Sequence, residues 1–272
     1  MLGDSSSSEA ETAECRLFVD PPLPGPWNMA VDELLLDWSA ETHGCAWRFY
    51  QWEEPTLSLG YFQPLEDRGQ HAASRGCPVV RRLTGGGAIL HDDELTYSVV
   101  VPAGHPLAGA RDRLYRAVHG SLIDVLAAWQ MAAEMARPAP VAAGAEEPFL
   151  CFARRAPGDV VIGGVKIAGS AQRRRRGAVL QHGSVLLRGS AAAPEIHTPE
   201  PLRAAALSAG RLVEAWLPVL SGRLRFRFRR QELSAAERRR AEALARGRYA
   251  QADWTAGRRR AVVPAANAPR CL

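Results

Sequence analysis

The chain has 272 residues, 47% of them hydrophobic and 23% charged, with a net charge of +5. These are the values of a globular protein large enough for one α/β domain with an appendage, and no apolar run approaches the ~20 residues that a membrane span requires. Five cysteines (Cys15, Cys45, Cys77, Cys151 and Cys271), odd in number, scattered and without a CxxC pair, exclude a disulfide scaffold and a CxxC zinc site, so free thiols and no metal are expected.

Residues 1–24 read as a disordered leader. MLGDSSSSEAETAEC is polar and acidic and lacks the basic start and apolar core of a secretory signal, so the protein is expected in the cytoplasm. PPLPGPW is a stiff approach to a helix over Met29–Trp38, with Asn28 as its N-cap and Ala30, Val31, Leu34 and Leu35 on its apolar face. AWRFYQW and TLSLGYF, rich in β-favouring residues and separated by Glu53, Glu54 and Pro55, predict a hairpin. A short polar helix over Leu65–Ser74 leads to the strand CPVVRRL.

That strand delivers RRLTGGGAILHDDELTYSVVV. Gly85, Gly86 and Gly87 leave backbone N–H groups uncovered for a ligand oxygen, with Arg81 and Arg82 just before them and Thr84 between. A phosphate or a phosphopantetheine arm suits such a loop; a plain hairpin turn is the alternative. No GK[ST] follows, and the loop does not open a helix, so it is neither a P-loop nor a dinucleotide fingerprint. His91, just beyond, is placed either to polarise a carbonyl or to serve as a structural histidine. Alternation from Thr96 to Val101 predicts a strand, and helical spacing predicts a long helix within Leu107–Met131.

The stretch Cys151–Leu187 concentrates the chemistry. Lys166 is the only lysine, the other 33 basic residues being arginine, so a site that keeps lysine against that bias points to a need for an amine. Asp159–Ile162, Gly163-Gly164 and Val165–Ala168 predict a hairpin carrying Lys166 on its second strand, followed by Gly169, Ser170, Ala171 and Gln172. AVLQHGSVLL is a further strand with His182 beside Gly183. A free thiol is mostly protonated at neutral pH, and a nearby ammonium favours its thiolate, so Cys151 and Lys166 are the candidate nucleophile and its activator; an inert core thiol is the alternative. Beyond Pro201, Leu202–Leu217 predicts one helix, LRFRFRR a strand, and Ser234 with Glu237 a capping box opening an arginine-rich helix, with Tyr249 and Trp254 in a short tail. The runs Arg173–Arg176, Arg238–Arg240 and Arg258–Arg260 read as a solvated face or as a surface for an acidic protein; without interleaved aromatics, nucleic acid is not expected.

NMAVDELLL, SLGYFQP, RRLTGGGAILHDDELTYSV and GGVKIAGSAQRRRRGAVLQHGSVLL occur in an order that resembles the signature blocks of the biotin/lipoate protein ligase superfamily, over roughly Asn28–Leu187. With Cys151-Phe152 ahead of the lysine block, the chain is most similar to LipM-type octanoyltransferases. The resemblance implies an α/β (α+β) fold of mixed and antiparallel sheets flanked by helices, with a catalytic domain over 25–222 and a small helical C-terminal extension over 223–272 packing on it. It implies an octanoyltransferase that moves octanoate from acyl carrier protein, through a thioester on Cys151, to a lysine of a lipoyl-domain protein such as glycine cleavage H protein. No cofactor is then required. Catalysis falls to Cys151 and Lys166, and substrate binding to Arg81, Arg82, Thr84, Gly85, Gly86, Gly87, His91, Gly169, Ser170, Ala171, Gln172, His182 and Gly183. At Gly87 some LipM-type members are expected to carry arginine, whereas GGG is common among ligases. An ATP- and Mg-dependent lipoate or octanoate ligase, and an amidotransferase acting between lipoyl domains, therefore remain open.

Overall fold

The computed structural model describes residues 12–138 and 148–257. An eight-stranded sheet has the order β11-β1-β2-β6-β10-β9-β8-β7, formed by β1 (Ala13–Leu23), β2 (Cys45–Trp52), β6 (Glu94–Val101), β7 (Ala133–Met135), β8 (Val160–Ile162), β9 (Val165–Arg175), β10 (Ala178–Leu186) and β11 (Phe226–Arg230). β1 runs parallel to both β2 and β11, and the remaining pairs are antiparallel. A second sheet, β4-β3-β5, holds β3 (Thr56–Leu59) between β4 (Val79–Arg81) and β5 (Ile89–His91).

Side-chain alternation assigns the two faces of the large sheet. Trp47, Phe49, Leu95, Tyr97 and Val99 face α2 (Arg111–Ala128) and α4 (Ala209–Leu224), where Leu114, Val118, Leu122 and Trp216 complete the main core. Ala46, Val100 and Leu180 face α1 (Gly25–Thr42), which contributes Val31, Leu34, Leu35 and Leu36. The architecture is the expected mixed α/β one, with helices on both sides of the sheet.

Several local expectations change. Residues 13–23, read as leader, form β1, because Cys15, Leu17 and Phe18 are buried core residues. The prolines that suggested a loop fall where the register with β2 shifts, between Val19 and Pro22, at an irregularity that accommodates residues with no N–H to donate. Residues 1–11 of that leader lie outside the described residues. Helix α1 starts at Gly25 with proline in its first turn, so Asn28 is not its cap. Asn28 is instead buried inside the helix; its amide donates to the carbonyls of Leu23 and Gln51 and accepts from Arg48, which ties α1 to β2. β2 and β3 do not form a hairpin: the turn between them moves the chain from one sheet to the other, and alternation specifies a strand without specifying its partner. The polar helix over 65–74 reduces to a 3₁₀ turn, Glu66–Gln70. The single helix expected at 202–217 is α3 (Glu200–Ala205) and α4, separated by Ala206 in the left-handed region at φ 44° and by Ser208, whose hydroxyl caps α4.

The described part of the C-terminal segment, to Gly257, packs against the rest of the fold. α5 (Ala235–Leu244) opens with the expected Ser234/Glu237 capping box, and a π-helical turn follows over Ala245–Tyr249, then α6 (Ala252–Gly257). Tyr249 and Trp254 are buried; the Tyr249 hydroxyl donates to Glu33 on α1, and the Trp254 indole N–H donates to the Arg81 carbonyl on β4. The arginine run on β9 is largely used within the molecule. Arg173 lies over the Tyr61 ring, Arg174 donates to Ala108 and Gly109, and Arg175 pairs with Glu33 and Asp37. Arg258–Arg260 and Cys271 lie outside the described residues. Among the described residues no helix is long and apolar enough to cross a membrane.

Candidate active site

Where the two sheets meet, a cavity of about 380 Å³ opens between α1, the glycine loop, β9 and β10. Met29, Tyr50, Trp52, Ile89 and Phe152 give it apolar walls. Cys151 enters from a 3₁₀ turn (Cys151–Ala153), pinned to the end of the glycine loop by its N–H to the Ala88 carbonyl at 2.7 Å. Lys166 enters from β9. The Gly163-Gly164 turn has φ of 56° and 79°, the double left-handed conformation of a tight hairpin, and so returns the chain directly into β9 as expected.

These two elements bring the predicted pair together: Lys166 Nζ lies 3.8 Å from Cys151 Sγ and 3.3 Å from the Cys151 carbonyl. Asp159, just before β8, fixes the amine through an ion pair at 2.9 Å, and itself accepts from the Tyr115 hydroxyl at 3.0 Å and the Ala156 N–H at 2.8 Å. Gly169 makes room, since a Cβ there would stand 2.6 Å from Lys166 Cε and 2.8 Å from its Nζ.

Burial pushes the Cys151 thiol up, but the charges of Lys166, Arg82 and Arg154 outweigh it and hold the thiol below its ordinary value. Two other cysteines show what burial without a cation does: Cys15 is pushed well up, and Cys45 to about 12. Cys15 and Cys45 thus have the surroundings of inert core thiols, whereas Cys151 lies among cations. Because the ammonium favours the thiolate, Lys166→Met should move the pH inflection of Cys151 alkylation upward and slow alkylation at pH 7 by ~10-fold, one pKa unit being a factor of ten. Alkylation rates by intact mass across a pH series test this; an unmoved inflection removes the role assigned to Lys166.

The other predicted residues separate into cavity wall and support. Gly85, Gly86, His91, Gly169, Ser170, Ala171, His182 and Gly183 line the cavity. Arg82 also reaches it, but is buried and donates to the carbonyls of Ser58, Gly85 and Gly87, so its first role is to hold the glycine loop in shape. Arg81 is not at the cavity: its guanidinium donates to the carbonyls of Gly60, Gln63 and Thr255. Thr84 and Gln172 lie behind the wall, bonded to His182 and Gln181. Gly87 is covered by the Arg154 guanidinium, whose Nη2 would stand 2.2 Å from any Cβ at that position. This chain therefore places an arginine over the third glycine from Arg154, not from Gly87 itself.

Both predicted histidines have both ring nitrogens occupied. His91 bridges Ser58 and Glu94 and stacks on Trp52 at 3.9 Å, and His182 bridges Asp32 and Thr84. Sequence reasoning missed Asp159, Tyr115 and His119. Asp159 had one available signal, a carboxylate opening the hairpin that carries the sole lysine. Among the described residues no group of three or more His, Cys, Asp or Glu is arranged to hold a metal.

The site is thus a thiol held beside an ammonium at an apolar cavity, on a mixed sheet with helices on both faces. The chain belongs to the lipoyl protein ligase A/B catalytic-domain family, whose model matches residues 24–199. It is 40% identical over 179 residues to octanoyltransferase LipM of Geobacillus kaustophilus, covering 62% of this chain and 64% of that protein. Its identity to octanoyltransferase LipM of Moorella thermoacetica is 42% over 187 residues, 64% of this chain and 66% of that one. The match thus spans just under two thirds of the length of these relatives. In fold it is similar to a bipartite lipoate protein ligase from Thermoplasma acidophilum, described with its E2 lipoyl domain, at TM-score 0.70 and 22% identity over 92% of this chain and 99% of that one. It is also similar to LipL1 of P. falciparum in complex with lipoate, at TM-score 0.68 and 12% identity over 89% and 74%. At these identities the likeness concerns the fold alone.

Proposed function

We infer that this chain is an octanoyltransferase working through a cysteine thioester. The observation that carries the reading is the 3.8 Å approach of Lys166 Nζ to Cys151 Sγ inside an apolar cavity of about 380 Å³. The Cys151 thiolate attacks the thioester carbonyl of octanoyl acyl carrier protein; a new S–C bond forms, the carrier's own C–S bond breaks, and the carrier leaves as a thiolate that takes its proton from water. The lysine of a lipoyl-domain protein, such as glycine cleavage H protein, then attacks the acyl-enzyme, an amide forms, and Cys151 departs as thiolate. The Lys166 ammonium supports both steps, because in each the sulfur carries negative charge on one side of the barrier. No nucleotide, Mg or other cofactor is needed, since the donor thioester is already activated. The reading places the reaction in the cytoplasm. It takes residues 25–222 as the catalytic unit and the described part of 223–272 as an extension packed against it.

The test is intact-mass measurement after mixing with octanoyl acyl carrier protein in the absence of ATP. The expected result is the gain of one octanoyl group. Labelling only from free octanoate with ATP overturns this reading in favour of a ligase; labelling from an octanoylated lipoyl domain but not from carrier protein makes the donor a lipoyl domain.

A further inference from the structure

Ser170, on β9, lines the same cavity as Cys151 and Lys166, and its hydroxyl sits in a chain of hydrogen bonds with a fixed direction. Ser170 Oγ lies 2.6 Å from Nε2 of His119 on α2 and 2.5 Å from the Tyr97 hydroxyl on β6. His119 Nδ1 lies 2.7 Å from the Gly158 carbonyl. A carbonyl only accepts, so Nδ1 carries the proton, and in the neutral ring Nε2 presents its lone pair to Ser170. Burial pushes His119 down to about 4, which keeps the ring neutral near pH 7. Ser170 therefore donates to His119. At the other end, the Gln172 amide donates to Gln181 Oε1 at 2.9 Å, and Gln181 Nε2 donates to the Tyr97 oxygen at 3.1 Å, which leaves the Tyr97 proton directed at Ser170.

A serine hydroxyl has one proton and two lone pairs. With its proton on His119 and one lone pair taken by Tyr97, Ser170 has a single lone pair left, and toward the cavity it can only accept. Gly183 keeps it in place: a Cβ there would come within 2.3 Å of Ser170 Oγ. Lys166 cannot fill the same need, because as the ammonium partner of Asp159 it offers donors only. The Ser170 N–H joins the two halves of the site, donating to the Tyr115 hydroxyl that in turn donates to Asp159.

We propose that Ser170 is a catalytic residue of the second half-reaction: its hydroxyl accepts a hydrogen of the attacking lysine amine and hands its own proton to His119. The inference rests on the acyl-enzyme reading above. A lysine amine, with a pKa near ~10.4, must lose two protons in all to become an amide, one before attack and one after the N–C bond forms. In the step assigned here, nitrogen bonds to the acyl carbon, and the C–S bond breaks with its electron pair going to Cys151 Sγ. The nitrogen's surplus proton passes to Ser170 Oγ as Ser170's own proton passes to His119 Nε2. The imidazolium, buried with both ring nitrogens engaged, then returns its proton to Ser170 Oγ, and Ser170 gives its cavity-facing proton to water in the open cavity, which restores the starting arrangement. His119 acts through Ser170 and is a positioning residue.

The experiment uses the full chain carrying octanoate on Cys151, with two nucleophiles compared: a lipoyl-domain protein and hydroxylamine, whose weakly basic nitrogen sheds its surplus proton to water after attack without a positioned base. Ser170→Ala should slow single-turnover transfer to the lipoyl-domain lysine by ~10²-fold, the usual scale of a lost general base, and slow hydroxylaminolysis far less. His119→Leu should show the same selective loss, and His119→Gln, which restores an acceptor for the Ser170 proton, should recover part of it. Equal slowing of both nucleophiles by Ser170→Ala, or unchanged lysine transfer, overturns the proposal while leaving the acyl-enzyme intact. Failure of the unsubstituted protein to take up octanoate at all overturns both the acyl-enzyme reading and this one.

Discussion

Cys151→Ala is expected to abolish octanoyl uptake from carrier protein and to lower transfer to a lipoyl domain by at least ~10⁴-fold, the scale seen when a nucleophile acting as part of a unit is removed. The loss is chemical, not structural. Cys151 is only partly buried, on a short turn, and its backbone N–H bond to Ala88 is indifferent to the side chain. Its removal leaves Lys166 paired with Asp159 at 2.9 Å, so no charge is stranded. Thermal unfolding should therefore be almost unchanged while single-turnover transfer disappears. Transfer that survives in the alanine variant would assign the thiol a bystander role and turn attention to adenylate chemistry.

The second large effect is expected at Glu33, which is not part of the cavity wall. Glu33 is buried on α1, with a carboxylate that accepts from Arg248, from the Tyr249 hydroxyl at 2.8 Å and from Arg175 at 3.0 Å. Glu33→Gln keeps the shape and removes the charge, leaving the Arg248 guanidinium buried without its counter-ion; breaking one side of such a pair costs ~3–5 kcal/mol. Chemical denaturation should read a loss of that size, whereas a change under ~1 kcal/mol would show the cluster to be dispensable. Burial alone would raise the Glu33 carboxyl, but Arg248, Tyr249 and Arg175 together hold it below the ordinary carboxylate range. A group with a depressed folded pKa contributes its full stabilisation above the unfolded value, near ~4.3, and loses it as pH falls through the folded value. Stability of the unsubstituted protein should accordingly fall more steeply below pH ~4 than that of Glu33→Gln.

The centre of the site was legible because it violated a bias: one lysine among 33 arginines, in a hairpin whose paired glycines name their own turn. What the sequence left hidden shares a cause. Asp159 reaches Lys166 across a register irregularity between Val160 and Val161, and hairpin counting gives no sign of such a shift. His119 sits on an amphipathic helix, where spacing reports only that a face is buried, not which strand residue it meets. Arg81 and Arg82 are adjacent on a strand end and so point to opposite sides; composition treats them alike, while the fold sends one to the C-terminal segment and the other under the glycine loop. β1 was concealed by prolines that normally argue against a strand, and β3 by a three-residue connection that ordinarily closes a hairpin.

Arg81 and helix α6 are tied twice: the Trp254 indole N–H donates to the Arg81 carbonyl, and the Arg81 guanidinium donates to the carbonyl of Thr255. Since β4 ends at Arg81 and the chain continues through Arg82, Leu83 and Thr84 to the three glycines, helix α6 braces the strand from which the glycine loop departs. Stiffness in a loop with almost no side chains of its own is thus borrowed from a segment more than 160 positions downstream by sequence, as the separation of 173 between Arg81 and Trp254 records. Changes in that distant segment would be felt at the glycine loop without touching any residue of the cavity wall.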